Sequence, residues 1–90
     1  MLDPHRLTIL RAVIAAGSIH AAARNLHLAP ATVSQHLRAL ARQTGLVLFE
    51  KSGRGIEATP AARHLWEVAR ALDELGRDLA GRSLGITVRG

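Results

Sequence analysis

The apolar residues in the first half of the chain recur every three or four positions in three separate runs, which predicts three short helices. Asp3-Pro4 is a helix start signal, because aspartate is a good N-cap residue and proline fits the first helical position. Gly17 ends the first helix, and Ser18 immediately caps the second. The third helix begins at Pro30, covers residues 30–43 and ends by Gly45. The apolar residues of the three runs are Leu7, Leu10, Val13 and Ile14; Ile19, Ala22, Ala23 and Leu26; and Val33, Leu37 and Leu40.

Residues 46–59 lose the helical spacing and predict a small β-hairpin. Residues 47–49 and 56–58 have the character of short strands, and the Ser-Gly-Arg-Gly stretch at residues 52–55 is typical of a turn. Lys51 and Arg54 therefore place two cations at the tip of the predicted hairpin.

Thr59-Pro60 repeats the cap-then-proline signal and predicts a long helix to residue 79 or 80. At about 1.5 Å per residue this helix is roughly 30 Å long. Its apolar residues step alternately by four and by three, as in a heptad seam. The seam is short and contains Gly76, which costs about 1 kcal/mol relative to alanine. We therefore expect it to pack partly on its own domain and partly on a second copy of the chain. The seam consists of Ala61, Leu65, Val68, Leu72, Leu75 and Leu79, and the last five are the predicted dimerisation residues.

The final residues, 81–90, have a different pattern. Leu84, Ile86 and Val88 alternate like a strand, but no further segment follows with which this strand would pair. The predicted organisation is a head at residues 1–59, a linker and dimerisation helix at residues 60–80, and a frayed tail or the start of a longer piece at residues 81–90.

The formal net charge is +5, and the charges are segregated along the chain. No aspartate or glutamate lies between Pro4 and Phe49, a stretch that carries five arginines. Four acidic residues of the second half share one segment with arginines, namely Glu67, Asp73, Glu74 and Asp78 with Arg63, Arg70 and Arg77. A field of one sign suits a polyanionic partner. An arginine-rich proteome is the alternative explanation, and the segregation of the acids favours the partner.

The composition argues against several classes of function. The chain has no cysteine, so neither a disulfide nor a thiolate metal site is available, which fits a reducing cytoplasm. No run approaches the roughly 18 apolar residues of a membrane span, and the first five residues do not start a secretory signal. The histidines lie on different predicted elements, and neither a nucleophile with a base nor a phosphate-binding glycine loop is present. We therefore expect a cytoplasmic protein that is not an enzyme and uses no metal, cofactor or membrane.

Two short helices joined by a tight break, after a supporting helix, predict a helix-turn-helix, whose second helix enters the major groove of DNA. Gln35 fits adenine and Arg38 fits guanine, while a small residue such as Ala31 or Thr32 at the helix start contacts a thymine methyl group. An ordinary solvent-exposed helix face is the alternative, but such faces usually contain Lys–Glu pairs, and this one has none. The predicted outward face consists of Ala31, Thr32, Ser34, Gln35, Arg38 and Arg42.

Four further residues are candidates for contacts with the DNA backbone: Ser18, His20, Lys51 and Arg54. Ser18 caps the second helix, and the backbone N–H groups of that helix start suit a phosphate oxygen, although capping alone would also explain the serine. His20 is a candidate for a contact with a phosphate, and the alternative is a surface or partly packed histidine. The cationic side chains of Lys51 and Arg54 are expected to contact phosphates or a minor groove. The alternative is an exposed turn whose cations have no role in binding.

The stretch from residue 15 to residue 59 combines several short motifs. They are Gly-Ser at the start of the second helix, Ala-Ala before Leu26, Val33-Ser34-Gln35 in the third helix, Leu48-Phe49-Glu50-Lys51 before Gly53-Arg54, and Thr59 ahead of the long helix, all within AAGSIHAAARNLHLAPATVSQHLRALARQTGLVLFEKSGRGIEAT. This combination resembles the head of LysR-type transcriptional regulators. The resemblance implies a mainly α fold, in which a winged helix-turn-helix (a three-helix head with a small β-hairpin wing) precedes a long dimerising linker helix.

The resemblance also implies a function. It points to a bacterial regulator of transcription that binds double-stranded DNA at an interrupted inverted repeat as a homodimer, with helix 30–43 in the major groove and residues 51–55 as the wing. A tetramer is possible for the full-length protein. A small-molecule effector would bind only through a domain that is absent here. Residues 81–90 resemble the entry into such an effector-binding domain. The alternative is a winged-helix module for protein–protein contacts, with the heptad seam as its working surface.

Four positions depart from the family pattern. Ala29 stands where serine or threonine commonly caps the third helix, and Ala41 stands where an acidic residue is common. Gln35 takes a place where many members have arginine, and Thr32 replaces a usual alanine. We expect these differences to leave the fold unchanged and to alter the preference for bases.

Overall fold

The computed structural model describes residues 3–86 and confirms a mainly α, winged helix-turn-helix fold. The first three helices pack on one another, the hairpin follows the third helix, and the start of the fourth helix packs on the first. The elements in chain order are α1 (Pro4–Ala16), α2 (Ile19–Leu26), α3 (Pro30–Thr44), β1 (Phe49–Ser52), β2 (Gly55–Ala58) and α4 (Pro60–Ile86).

The ends of the first helices follow the signals in the sequence. The Asp3 carboxylate accepts a hydrogen bond from the backbone N–H of His5 at 2.9 Å, which caps α1. Gly17 ends α1 with a φ of 71°, in the left-handed region that glycine adopts without a Cβ clash. The Ser18 hydroxyl then accepts from the N–H of Ala21 at 3.2 Å and caps α2. The predicted starts of α1 and α2 are therefore confirmed.

The turn between α2 and α3 depends on an unusual backbone at His27. This residue has a φ of 58°, and no other non-glycine residue in the described chain has a positive φ. The N–H groups of His27 and Leu28 donate to the carbonyl oxygens of Arg24 and Ala23, respectively, which satisfies two of the last four carbonyls of α2. The chain thereby leaves α2 and enters α3 within residues 27–29.

The core lies where the three head helices meet. It draws on one face of each helix, and the predicted inward face of α3 is confirmed. Leu48, just before the wing, and Ala62, in the first turn of α4, complete it. The buried apolar residues are Ile9, Leu10, Val13, Ala22, Ala23, Val33, Leu37, Leu40, Leu48 and Ala62.

The wing is an antiparallel hairpin whose first strand is shifted from the prediction, whereas its second strand contains the predicted residues 56–58. Residue pairs run from Phe49 opposite Ala58 to Ser52 opposite Gly55. The prediction of a first strand at residues 47–49 is wrong, because the carbonyl oxygens of Val47 and Leu48 bond to Thr59 rather than to a strand. The observed turn is shorter than the predicted turn at residues 52–55, because residues 52 and 55 are paired in the hairpin.

Helix α4 is longer than predicted. Its hydroxyl cap is Thr59, which accepts from the N–H of Ala62 at 3.1 Å, as the start signal indicates. The helix continues to Ile86, so the strand-like pattern expected at Leu84 and Ile86 is wrong, and Val88 lies outside the described residues. A helix satisfies its own backbone hydrogen bonds, whereas a lone strand would leave them without partners.

Candidate nucleic-acid interface

Helix α3 has one buried side and one exposed side. Val33, Leu37 and Leu40 are buried, whereas Gln35 and Arg38 are exposed. The remaining residues of the predicted outward face divide into exposed and half-buried positions: Ala31 and Arg42 are exposed, and Thr32 and Ser34 are half-buried. Of the side chains that would meet base edges, Ala31, Gln35 and Arg38 are therefore open to solvent, and Thr32 is partly covered.

The start of α3 presents mainly backbone and small side chains. Ala29 makes no side-chain cap, in keeping with its departure from the family pattern. Its carbonyl oxygen accepts instead from the N–H groups of Thr32 and Val33 at 3.0 and 3.2 Å. Since Pro30 has no N–H, the amide of Ala31 remains as the helix-start donor without an intrahelical partner.

A groove of about 480 Å³ joins three elements that are distant in sequence. The start of α2, the start of α3 and the tip of the wing form its walls. Among the predicted DNA-contacting residues, it brings together Ser18, His20, Ala31, Ser34, Lys51 and Arg54.

The remaining predicted contacts lie outside this groove. Gln35 and Arg42 continue the exposed face further along α3. Arg38 and Ser34 line a second, more apolar groove of about 410 Å³ between α3 and the base of the wing. The surface formed by the predicted DNA-contacting residues thus extends from the wing tip along α3.

Sequence reasoning omitted part of the first groove. Ile19, Pro30, Gly53, Gly55 and Ile56 also line it. The hairpin turn pointed to Gly53 and Gly55, but only the packing of the wing against α2 and α3 brings Ile19 and Ile56 together.

The two carboxylates of the wing do not line the groove. Glu50 and Glu57 are cross-strand partners and both are exposed. Because side chains alternate along a strand, they face away from Lys51 and Ile56, which line the groove. The two glutamates border a separate hollow with Arg63 at the start of α4, and Lys51 lines both this hollow and the groove. The groove side of the wing therefore carries positive charge only.

The predicted dimerisation seam divides between the head and the surface. Leu65 is half-buried and packs against the head core. Val68, Leu72, Leu75 and Leu79 are 41%, 63%, 51% and 53% exposed, respectively. This exposed apolar stripe, defined by these four residues, has no partner in the described chain.

Ion pairs accompany the stripe. Arg70 pairs with Glu74 at 2.6 Å, and Arg77 pairs with Asp73, each across one turn of α4.

The described residues show neither a metal cluster nor a membrane helix. His5 and His36 meet edge to face with ring centroids 5.1 Å apart, but no group of three or more His, Asp or Glu side chains in residues 3–86 is placed to hold a metal ion. None of the helices in the same range has the length and apolar character required to cross a bilayer.

Three packed helices, a hairpin wing and an exposed, acid-free third helix define the winged helix-turn-helix class of DNA-binding domains. The family model for bacterial regulatory helix-turn-helix proteins of the LysR family matches residues 4–63. The chain belongs to this family and is the DNA-binding domain of a LysR-type transcriptional regulator.

Several known proteins are similar to this chain. The HTH-type transcriptional regulator TfdS of Cupriavidus pinatubonensis is 43% identical over 67 residues, covering 74% of this chain and 23% of that protein. The regulator TcbR of Pseudomonas sp. strain P51 is 43% identical over 82 residues, covering 91% of this chain and 26% of that protein. The crystal structure of a CbnR_DBD–DNA complex superimposes with a TM-score of 0.80 at 35% identity, covering 96% of this chain and 99% of that one. The chain thus spans about a quarter of the length of the two regulators.

Proposed function

We propose that this chain binds an inverted-repeat operator as a homodimer, with residues 30–43 of α3 in the major groove and residues 51–55 as the wing. The observation that carries the proposal is the acid-free surface that runs from the wing tip along the exposed face of α3. A duplex carries a phosphate charge on both sides of its groove, so a carboxylate on this surface would oppose binding.

The proposed base contacts lie on α3. Arg38 donates two hydrogen bonds to guanine, and Gln35 pairs with adenine through its amide. Ala31 and Thr32, in the first turn, approach thymine methyl groups, because the start of a recognition helix enters deepest. The exposure of Gln35 and Arg38 supports these assignments.

The proposed phosphate contacts surround the recognition helix. Lys51 and Arg54 at the wing tip and Arg42 near the end of α3 are exposed cations. The hydroxyl of Ser18 already accepts from the N–H of Ala21, so Ser18 contributes through the backbone N–H groups at the start of α2. Ser34 and His20 line the same groove as Ser18. These contacts fix the register of the head on the duplex and carry no base preference of their own.

The proposed dimer forms through the exposed apolar stripe on α4. Four large apolar side chains in a row on an exposed helix face indicate a protein contact rather than a solvated surface. A symmetric pair of α4 helices would hold two heads on the two half-sites. The head at residues 1–59 and the linker at residues 60–80 would then be separate functional units.

The whole-protein setting is also a proposal. The similar proteins are transcription regulators, and the proposed function contains no catalytic step. Effector binding, tetramer formation and residues 81–90 as an entry to an effector domain would belong to a full-length bacterial protein in the cytoplasm. The alternative of a module for protein contacts alone is not favoured, because it does not explain an acid-free α3 with a cationic wing tip.

The test is selection of genomic DNA fragments by the purified 90-residue chain. We expect a motif with two inverted half-sites whose centres are about 10 bp, or a multiple of this spacing, apart. The Arg38→Ala variant should bind the selected site more weakly by roughly 1–3 kcal/mol. Its affinity for scrambled DNA should be almost unchanged. Arg24→Ala, an exposed arginine near the end of α2, removes the same charge and is the matched control. Equal affinity for selected and scrambled DNA would refute the proposal.

A further inference from the structure

Helix α4 is attached to the head only at its beginning. Ala62 is fully buried, and Leu65 and Trp66 are half-buried against the core. From Arg70 to Gly81, every residue of α4 is exposed. The direction in which the exposed part of α4 leaves the head is therefore set within its first turns.

A contact between α1 and α4 lies at the outer end of this attachment. The guanidinium carbon of Arg11 sits 5.3 Å from the centroid of the Trp66 ring, within the range of a cation–π contact. Arg11 is exposed, but α1 itself is fixed in the head by Ile9, Leu10 and Val13. The contact thus connects α4 to a rigid part of the head.

A groove of about 470 Å³ lies between the two helices next to this contact, and Arg11 and Trp66 both line it. Leu7 and Thr8 lie on one wall of the groove, and Ala69 and Asp73 lie on the other. The Arg11–Trp66 contact thus links the two walls of this groove.

We propose that Arg11 and Trp66 are positioning residues that fix the angle between α4 and the head, and thereby set the half-site spacing that the dimer accepts. This inference rests on the proposed function, because spacing has meaning only for two heads joined through α4. Neither residue contacts a base in this mechanism. They act through the position of α3 relative to the dimer axis.

The length of α4 makes a small change of angle significant. From Trp66 to Leu79 the helix rises about 20 Å, at about 1.5 Å per residue. A tilt of about 10° at Trp66 would move Leu79 by about 3.5 Å relative to the head, close to the roughly 3.4 Å between successive base pairs. A change of this size is enough to favour an operator that is longer or shorter by one base pair.

The test measures the dissociation constant of the 90-residue chain for a set of duplexes. The set keeps both selected half-sites and changes only the spacer between them, by one or two base pairs in either direction. For each protein the readout is the ratio of affinities between the best spacer and its neighbours. The loss of one positive charge weakens all duplexes alike and cancels in this ratio. Arg11→Ala, Arg11→Lys and Trp66→Leu are compared with Arg63→Ala, which removes an exposed arginine of α4 outside this contact.

We expect the wild-type ratio to fall at least threefold in Arg11→Ala and Trp66→Leu, to recover partly in Arg11→Lys, and to stay unchanged in Arg63→Ala. If Arg11→Ala and Trp66→Leu both keep the wild-type ratio of affinities between the best spacer and its neighbours, the inference is overturned. That result would not contradict the proposed dimer. A wild-type chain that binds paired half-sites no more tightly than a single half-site would refute the proposed dimer, and this inference with it. Circular dichroism of each variant shows whether the fold is retained.

Discussion

The hydroxyl of Thr59 connects the wing to α4, and its removal is the most direct test of how the wing is held. Thr59 is 7% exposed. Its hydroxyl donates to the carbonyl oxygen of Val47 at 2.6 Å and accepts from the N–H of Ala62 at 3.1 Å. One side chain thus fixes the segment that enters the wing and caps the helix that follows it.

Thr59→Val keeps the shape of the side chain and removes both hydrogen bonds. Loss of a threonine N-cap costs about 0.5–2 kcal/mol, and a net buried hydrogen bond contributes about 0.5–1.5 kcal/mol. We therefore expect the free energy of unfolding to fall by about 1–3.5 kcal/mol. At about 4–8 °C per kcal/mol for a domain of this size, the fall in Tm is roughly 4–28 °C.

The measurement is urea denaturation followed by circular dichroism, with Thr59→Ser as the variant that retains the hydroxyl. Thr8→Val is the matched control, because the exposed Thr8 hydroxyl donates only to the carbonyl oxygen of Pro4 within its own helix. We expect Thr59→Ser and Thr8→Val to stay within about 0.5–1 kcal/mol of the wild type. A Thr59→Val protein as stable as Thr59→Ser would refute the reasoning, because it would mean that the two hydrogen bonds contribute nothing net.

The remaining predictions concern binding, assembly and backbone strain. Lys51→Ala should lower the slope of log K against log salt by about 1 in DNA-binding titrations, and an unchanged slope would remove Lys51 from the phosphate contacts. Leu75→Glu places a charge in the exposed stripe and should shift the chain towards monomer in analytical ultracentrifugation; an unaltered dimer fraction would exclude this stripe as the interface. Gly45→Ala should lower the free energy of unfolding by about 1–2 kcal/mol, because its φ of 71° is left-handed. Gly76→Ala should raise the free energy of unfolding by up to about 1 kcal/mol, because this helical glycine has open space around it. If the two glycine variants changed the free energy of unfolding in the same direction, the argument would be contradicted.

Local chemistry was sufficient to predict most of the head. The Asp3 and Ser18 caps each act on backbone within three residues, so the sequence signal and the structural cause coincide. The same holds for the α3 face, where Val33 and Leu37 are buried and Gln35 is exposed, because helical periodicity alone sorts them.

The features that sequence reasoning missed depend on contacts between distant residues. The first strand was misplaced because Val47 bonds to Thr59, twelve residues away, and leaves the ladder to start at Phe49. The packing of Arg11 on Trp66 has no periodic signal, since it links two helices that are separated by the whole helix-turn-helix. The φ of His27 was also missed, because a left-handed helix end at histidine is uncommon.

The placement of the acidic residues explains how a chain with carboxylates on its wing presents a positive surface. Glu50 and Glu57 stand directly opposite each other, an arrangement of like charges that destabilises a hairpin. Neither glutamate lines the groove that contains Lys51 and Arg54; both border the hollow near Arg63, which Lys51 also lines. Moving either glutamate by one residue would transfer its charge to the groove side, because successive side chains of a strand face opposite ways. The strand register, rather than the net charge, therefore decides which face of the wing a polyanion approaches.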